Sequence, residues 1–116
     1  AGLVPRARFL ARVVAADDPA LAVRAIVPAT NEALKRSGLS IEQIDWIEIN
    51  EAFSTVVLAW QKEVGAKGDQ INPWGGAIAH GHALGATGCV LMSKMLSGLE
   101  ATGGRYGLQV MTIGHG

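Results

Sequence analysis

The sequence predicts an α/β domain with a mixed, mainly parallel sheet, and three observations carry that expectation. Strand-like and helix-like runs alternate in the order β-α-β-α-β-α-β, the pattern of right-handed crossover units. Glycines stand where the helical runs end. A glycine-rich stretch, 72–88, lies between a short strand-like pair, Gln70-Ile71, and a long apolar run, carrying His80 and His82. Glycines at that density shape a loop around something, because they allow positive φ and close backbone approach.

In chain order, Arg6 to Ala16 holds Phe9, Leu10, Val13 and Val14 in imperfect alternation and reads as a strand ended by Asp17-Asp18-Pro19. Ala20 to Ser37 has good helix formers, with the regular helix expected from Pro28 to Gly38, since proline suits a first turn. Ser40-Ile41-Glu42-Gln43 has capping-box spacing. Asp45 to Asn50 alternates with Ile47 and Ile49 on one face, a short strand. Asn50 is expected to cap a helix carrying Phe53, Val56, Val57, Trp60 and Val64 at helical spacing, closed by Gly65 to Gly68. Gln70-Ile71 reads as a short strand entering the glycine loop. From Ala86 to Leu99 the run is apolar nearly all round, a helix buried on most sides or against another domain. Tyr106 to Ile113 is a last strand after Gly103-Gly104.

The 116 residues form one domain, 1–116, or part of a larger one, long enough for a core. The start has no Met and no signal-peptide apolar region, so it reads as mid-protein sequence. Ten basic and ten acidic side chains cancel, giving no electrostatic case for nucleic acid or an anionic membrane. No apolar run reaches the ~18 residues of a membrane helix. The one cysteine, Cys89, excludes a disulfide framework and fits a cytoplasmic setting. It reads as a small, inert core residue.

His80-x-His82 has permissive metal spacing, but no Asp or Glu stands nearby as a third ligand, so no metal is expected. Glycines 81, 85 and 88 fail the dinucleotide fingerprint, and the lysine-hydroxyl ending of a phosphate loop is missing. His82 is the better chemistry: a neutral imidazole on a glycine-lined loop before a helix can take a proton or donate to a developing oxyanion. A buried histidine bonded to backbone is its plain alternative. For Asn50 the alternative to capping is an amide that holds a water or ligand. Asn50, the glycine loop and Thr112 to Gly116 all follow expected strands, so they converge on one rim at the strands' carboxyl ends.

Asn50-Glu51-Ala52-Phe53, Asn72-Pro73-x-Gly75-Gly76-Ala77-Ile78-Ala79-x-Gly81-His82, Gly85-Ala86-Thr87-Gly88 and Gly114-x-Gly116 together resemble the C-terminal half of a thiolase, over essentially the whole chain. The resemblance implies a βαβαβαββ half with its last strand beyond Gly116. It also implies an acyltransferase of fatty-acid or related degradation, acting on acyl-CoA with coenzyme A as a substrate, with no other cofactor. A nucleophilic cysteine in a missing N-terminal half would attack a 3-ketoacyl thioester. His82 would activate it and donate into one oxyanion hole, Asn50 would hold the water completing that hole, and the Gly114 N–H would serve a second. Phe53 and Gly81 would contact substrate.

Three departures from that pattern matter. Thr112 stands where the family carries an acid/base cysteine, and a threonine hydroxyl does not deprotonate near neutral pH without strong activation. Ala83 replaces a proline after His82. His115 replaces a glycine beside Gly114 and offers an extra imidazole. The complete protein is expected to be a homo-oligomer, and the chain by itself inactive, with apolar helix faces that favour self-association. A non-catalytic thiolase-like domain, serving assembly or acyl-CoA binding, is the rival reading. The related β-ketoacyl synthases match poorly, lacking their usual histidine partners here.

Overall fold

The computed structural model describes residues 2–21 and 23–113. Its centre is a parallel pair of strands, β1 (Trp46–Ile49) and β2 (Gly107–Val110), with Trp46 opposite Gly107 and Ile49 opposite Val110. Parallel neighbours need a long crossover. Here it contains α2 (Ser54–Val64), the short α3 (Ala77–His80) and α4 (Thr87–Thr102), while α1 (Ile26–Ser37) precedes the sheet.

All four residues of β1 are buried, as expected for a parallel strand covered on both faces. Ile47 and Ile49 face one cluster with Ile26, Val27, Trp60 and Val110, where α1 and α2 pack. Trp46 turns the other way and packs with Met95 and Leu99 of α4. Helix ends follow local chemistry. Gly38, Gly65 and Gly103 take left-handed conformations as C-caps of α1, α2 and α4. Ser40 and Gln43 form the expected capping box around a single 3-10 turn, Ile41–Gln43.

Several sequence expectations are corrected. Arg6 to Ala16 is not a strand: the segment has no regular secondary structure and is mostly exposed, because no neighbouring strand among the described residues offers it a ladder. Side chains hold it instead, with Arg6 donating to both Glu100 oxygens at 2.7 and 2.6 Å. That hydrogen-bonded guanidinium holds the Glu100 carboxyl below the usual range. α1 begins at Ile26, two residues before Pro28, which is tolerated because first-turn N–H groups lack intrahelical acceptors. Asn50 does not cap α2; Phe53 holds that position, and the Asn50 N–H continues the sheet to the Val110 carbonyl at 3.0 Å. Gln70-Ile71 reduces to a 3-10 turn and a single parallel bridge from Ile71 to Ile47. The last strand is shorter than Tyr106 to Ile113, so among the described residues two strands are paired where four were expected.

The long helix is also less enclosed than its composition implies. α4 buries one stripe, Thr87, Leu91, Met95, Gly98 and Leu99, while Val90 and Cys89 are exposed. Cys89 is therefore not a core residue. Gly98 is the point of closest approach: a Cβ built there lies 2.5 Å from the Trp46 ring. Gly98→Ala would ordinarily stabilise a helix by about 1 kcal/mol. Here we expect overpacking to reverse the sign, costing roughly 1–3 kcal/mol. A lowered melting temperature confirms it; a raised one shows that Trp46 gives way.

Candidate active site

The carboxyl ends of β1 and β2 open into a cleft of about 620 Å³ lined by Asn50, Phe53, Ile78, His82, Leu84 and Thr112, among others. Three of the sequence-predicted site residues, His82, Asn50 and Thr112, thus meet on one rim, with Phe53 beside them. Gly81 lies outside this cleft and lines a smaller one of about 280 Å³, which shares His82. Gly114 and His115 lie outside the described residues.

Each wall is built from local geometry. Asn50 is 4% exposed, yet its Oδ1 is buried with no hydrogen-bond donor among the described residues. An unsatisfied buried amide oxygen costs about 1–3 kcal/mol, and Asn50 is one of the residues that line the cleft. Gly81 takes φ +88° and ψ 172°, a region open essentially to glycine alone, and this turns the chain out of α3 to present His82. His82 is exposed, and its Nδ1 lies 2.8 Å from the hydroxyl of Thr87, itself buried at the start of α4. That bond engages one ring nitrogen, and Nε2 has no hydrogen bond among the described residues. Leu84 follows at φ +43°, a strained value for a non-glycine residue beside the cleft.

Sequence reasoning missed the residues that brace this rim. The Asn72 amide imitates a strand rung: its Oδ1 accepts from the Ile49 N–H at 2.9 Å, and its Nδ2 donates to the Ile49 carbonyl at 3.0 Å. Glu51 accepts from Asn72 Nδ2 at 3.3 Å and from the Ile78 N–H at 2.7 Å, tying the first turn of α3 to the end of β1. Gly76 must be glycine, because a Cβ would sit 2.5 Å from the Glu51 carboxylate and 2.6 Å from Asn72 Nδ2. A polar residue directly after each strand-like run was the available signal.

Among the described residues no three His, Cys, Asp or Glu side chains group as metal ligands. The site brings Asn50, His82 and Thr112 together with the Glu51 carboxylate around an open, largely apolar cleft.

Comparison with known proteins matches residues 3–116 to the C-terminal domain of thiolase. The chain belongs to the thiolase family. Among relatives of this thiolase domain, the steroid 3-ketoacyl-CoA thiolase FadA6 of Mycobacterium tuberculosis is 53% identical over 115 residues, covering 99% of this chain and 28% of the relative. The 3-ketoacyl-CoA thiolase of Marinobacter nauticus is 44% identical over 118 residues, covering 99% of this chain and 30% of its own length. The 3-oxoadipyl-CoA/3-oxo-5,6-dehydrosuberyl-CoA thiolase of Escherichia coli is 45% identical over 117 residues, covering 99% and 29%. The thiolase domain thus spans under a third of the length of these relatives. No described helix is long and apolar enough to cross a membrane.

Proposed function

We propose that the complete polypeptide is an acyltransferase that cleaves or forms 3-ketoacyl-CoA thioesters, and that this stretch supplies its acid/base and oxyanion-stabilising groups. The observation that carries the reading is that Asn50, whose buried Oδ1 has no partner among the described residues, lines the same cleft as His82. A water bound by Asn50 and an N–H from His82 form a pair of donors for a thioester oxygen. Fixed donors of this kind stabilise the developing charge without reorganising as it forms. The two roles of His82 follow one another: with Nδ1 held by Thr87, Nε2 takes the proton of an attacking thiol, and the N–H so formed is the one that donates to the oxyanion. Cys89 is exposed on α4 and is not among the residues lining the cleft, so the nucleophile is supplied from outside these residues.

The relatives are named for steroid, unspecified and dicarboxylic acyl groups, so the ketoacyl-CoA portion is what they share. We assign that shared portion as the substrate class. This stretch alone is inactive, Gly114 serves a second oxyanion hole, Phe53 and Gly81 contact substrate, and the working protein is a homo-oligomer using coenzyme A as co-substrate.

One observation favours a second reading. Thr112, half-buried in the cleft, puts a hydroxyl where a thiol would exchange protons. A non-catalytic, acyl-CoA-binding domain is the natural consequence if nothing replaces that proton transfer. Full-length protein incubated with acetoacetyl-CoA and coenzyme A, followed by loss of the substrate enolate absorbance, decides between the two. Turnover supports the enzyme; acyl-CoA binding without turnover supports the alternative. In the second case Thr112→Cys is expected to raise thiolysis by roughly 10²-fold or more, the usual worth of a positioned general acid. An unchanged rate in an active parent assigns the proton to another group.

A further inference from the structure

Lys94 sits in the middle of α4 with its side chain 14% exposed, and its ammonium faces groups from three other segments, one by an ion pair and two by hydrogen bonds. Glu48 Oε2 of β1, itself fully buried, lies 2.8 Å away. The Gly75 carbonyl of the glycine loop accepts a second bond, and His80 Nε2 of α3 lies at 3.2 Å. The other Glu48 oxygen accepts from Trp46 Nε1 at 2.7 Å, and Trp74 stands edge-on over Trp46 with ring centroids 4.9 Å apart. The carboxylate thus has Oε1 hydrogen-bonded to an indole, while the buried Oε2 has no hydrogen bond among the described residues and is balanced by the nearby ammonium charge alone.

His80 completes the chain of contacts. Its Nδ1 is 3.0 Å from the Gly81 carbonyl. A carbonyl only accepts, so Nδ1 carries the proton; an ammonium only donates, so Nε2 is the bare nitrogen. Both neighbours therefore require one neutral tautomer.

We propose that Lys94, anchored on Glu48, is a positioning residue that locks His80 as the neutral Nδ1–H tautomer and thereby fixes the Gly75 to Gly81 segment that presents His82. The tautomer follows from the contacts alone. Its effect on turnover rests on the acyl-transfer reading, which is why the two are measured separately.

The test uses full-length protein labelled with ring-¹⁵N histidine, the His80 signals being assigned by their loss in His80→Gln. The parent is expected to show a one-bond N–H coupling at Nδ1 and an unprotonated Nε2. In Lys94→Met that pattern changes to the Nε2–H form or to a mixture. Because Lys94→Met strands the buried Glu48 carboxylate and risks misfolding, the double variant Glu48→Gln/Lys94→Met serves as a second test and is expected to show the same tautomer change. If the parent turns over ketoacyl-CoA, Lys94→Met lowers kcat by roughly 10- to 100-fold, the scale of a small misplacement of a reacting group, with KM little changed. An Nε2–H or doubly protonated His80 in the parent overturns the proposal, as does an unchanged tautomer in a folded variant lacking Lys94. Neither result depends on whether the protein is an active thiolase.

Discussion

His82→Ala in the full-length protein is expected to lower turnover of a 3-ketoacyl-CoA by roughly 10²–10⁴-fold, the range a positioned general acid or base contributes. The fold should scarcely notice. His82 is exposed, and its one side-chain hydrogen bond among the described residues is to Thr87. Losing that bond costs about 1 kcal/mol, against the several kcal/mol of barrier that the rate change represents. The measurement is paired: initial rates with acetoacetyl-CoA, and a melting curve on the same preparation. A rate loss below about fivefold in a properly folded variant would contradict the acid/base role. It would shift the assignment toward Asn50, which lines the same cleft. A rate loss accompanied by a collapsed melting temperature would mean that His82 organises the loop instead of reacting from it.

The rim that brings these groups together was legible in the sequence because it depends on a local rule: polar residues that follow a strand lie at its carboxyl end. Asn50 directly follows Ile49, and Thr112 comes two residues after Val110, so a parallel pairing of β1 and β2 carries both to one edge. Helix ends were legible for a similar reason, since Gly38, Gly65 and Gly103 act within one turn of chain. What failed was whatever required a distant partner. Asn50 has a good capping side chain, but the Val110 carbonyl claims its backbone, and no periodicity around residue 50 reveals that. Arg6 to Ala16 has the composition of a strand, yet a strand exists only when a neighbour supplies hydrogen bonds. Cys89 and Val90 were read as buried from the apolar run around them. The stripe that α4 hides is set instead by the approach of Trp46 to Gly98. The Glu48–Lys94 pair left the clearest unread sign: a carboxylate inside the strand Trp46–Ile49 and an ammonium inside an apolar helix, each costly to bury alone.

Trp60→Ala is expected to produce the largest loss of stability of any substitution considered. Trp60 is the one buried residue of α2, 0% exposed, and it sits in the cluster that joins α1 to the sheet. Its Nε1 donates to the Thr30 hydroxyl at 2.9 Å, and that hydroxyl donates onward to the Ile26 carbonyl at 2.7 Å, so one side chain ties α2 to the first turn of α1. Removing it costs about 3–5 kcal/mol, a large share of the ~5–15 kcal/mol that holds a domain folded. Trp60→Phe should cost much less: the ring still fills most of the space, and the Thr30 hydroxyl keeps its bond to Ile26. Leu58, on the same helix but 64% exposed, is a control expected to change stability by less than about 0.5 kcal/mol when replaced by alanine. Calorimetric melting of the three full-length variants tests the ordering. If Leu58→Ala instead matched Trp60→Ala, the exposed face of α2 would be covered in the complete protein by chain outside these residues. The apolar side chains Phe53 and Leu58 would then belong to an interface between the two halves.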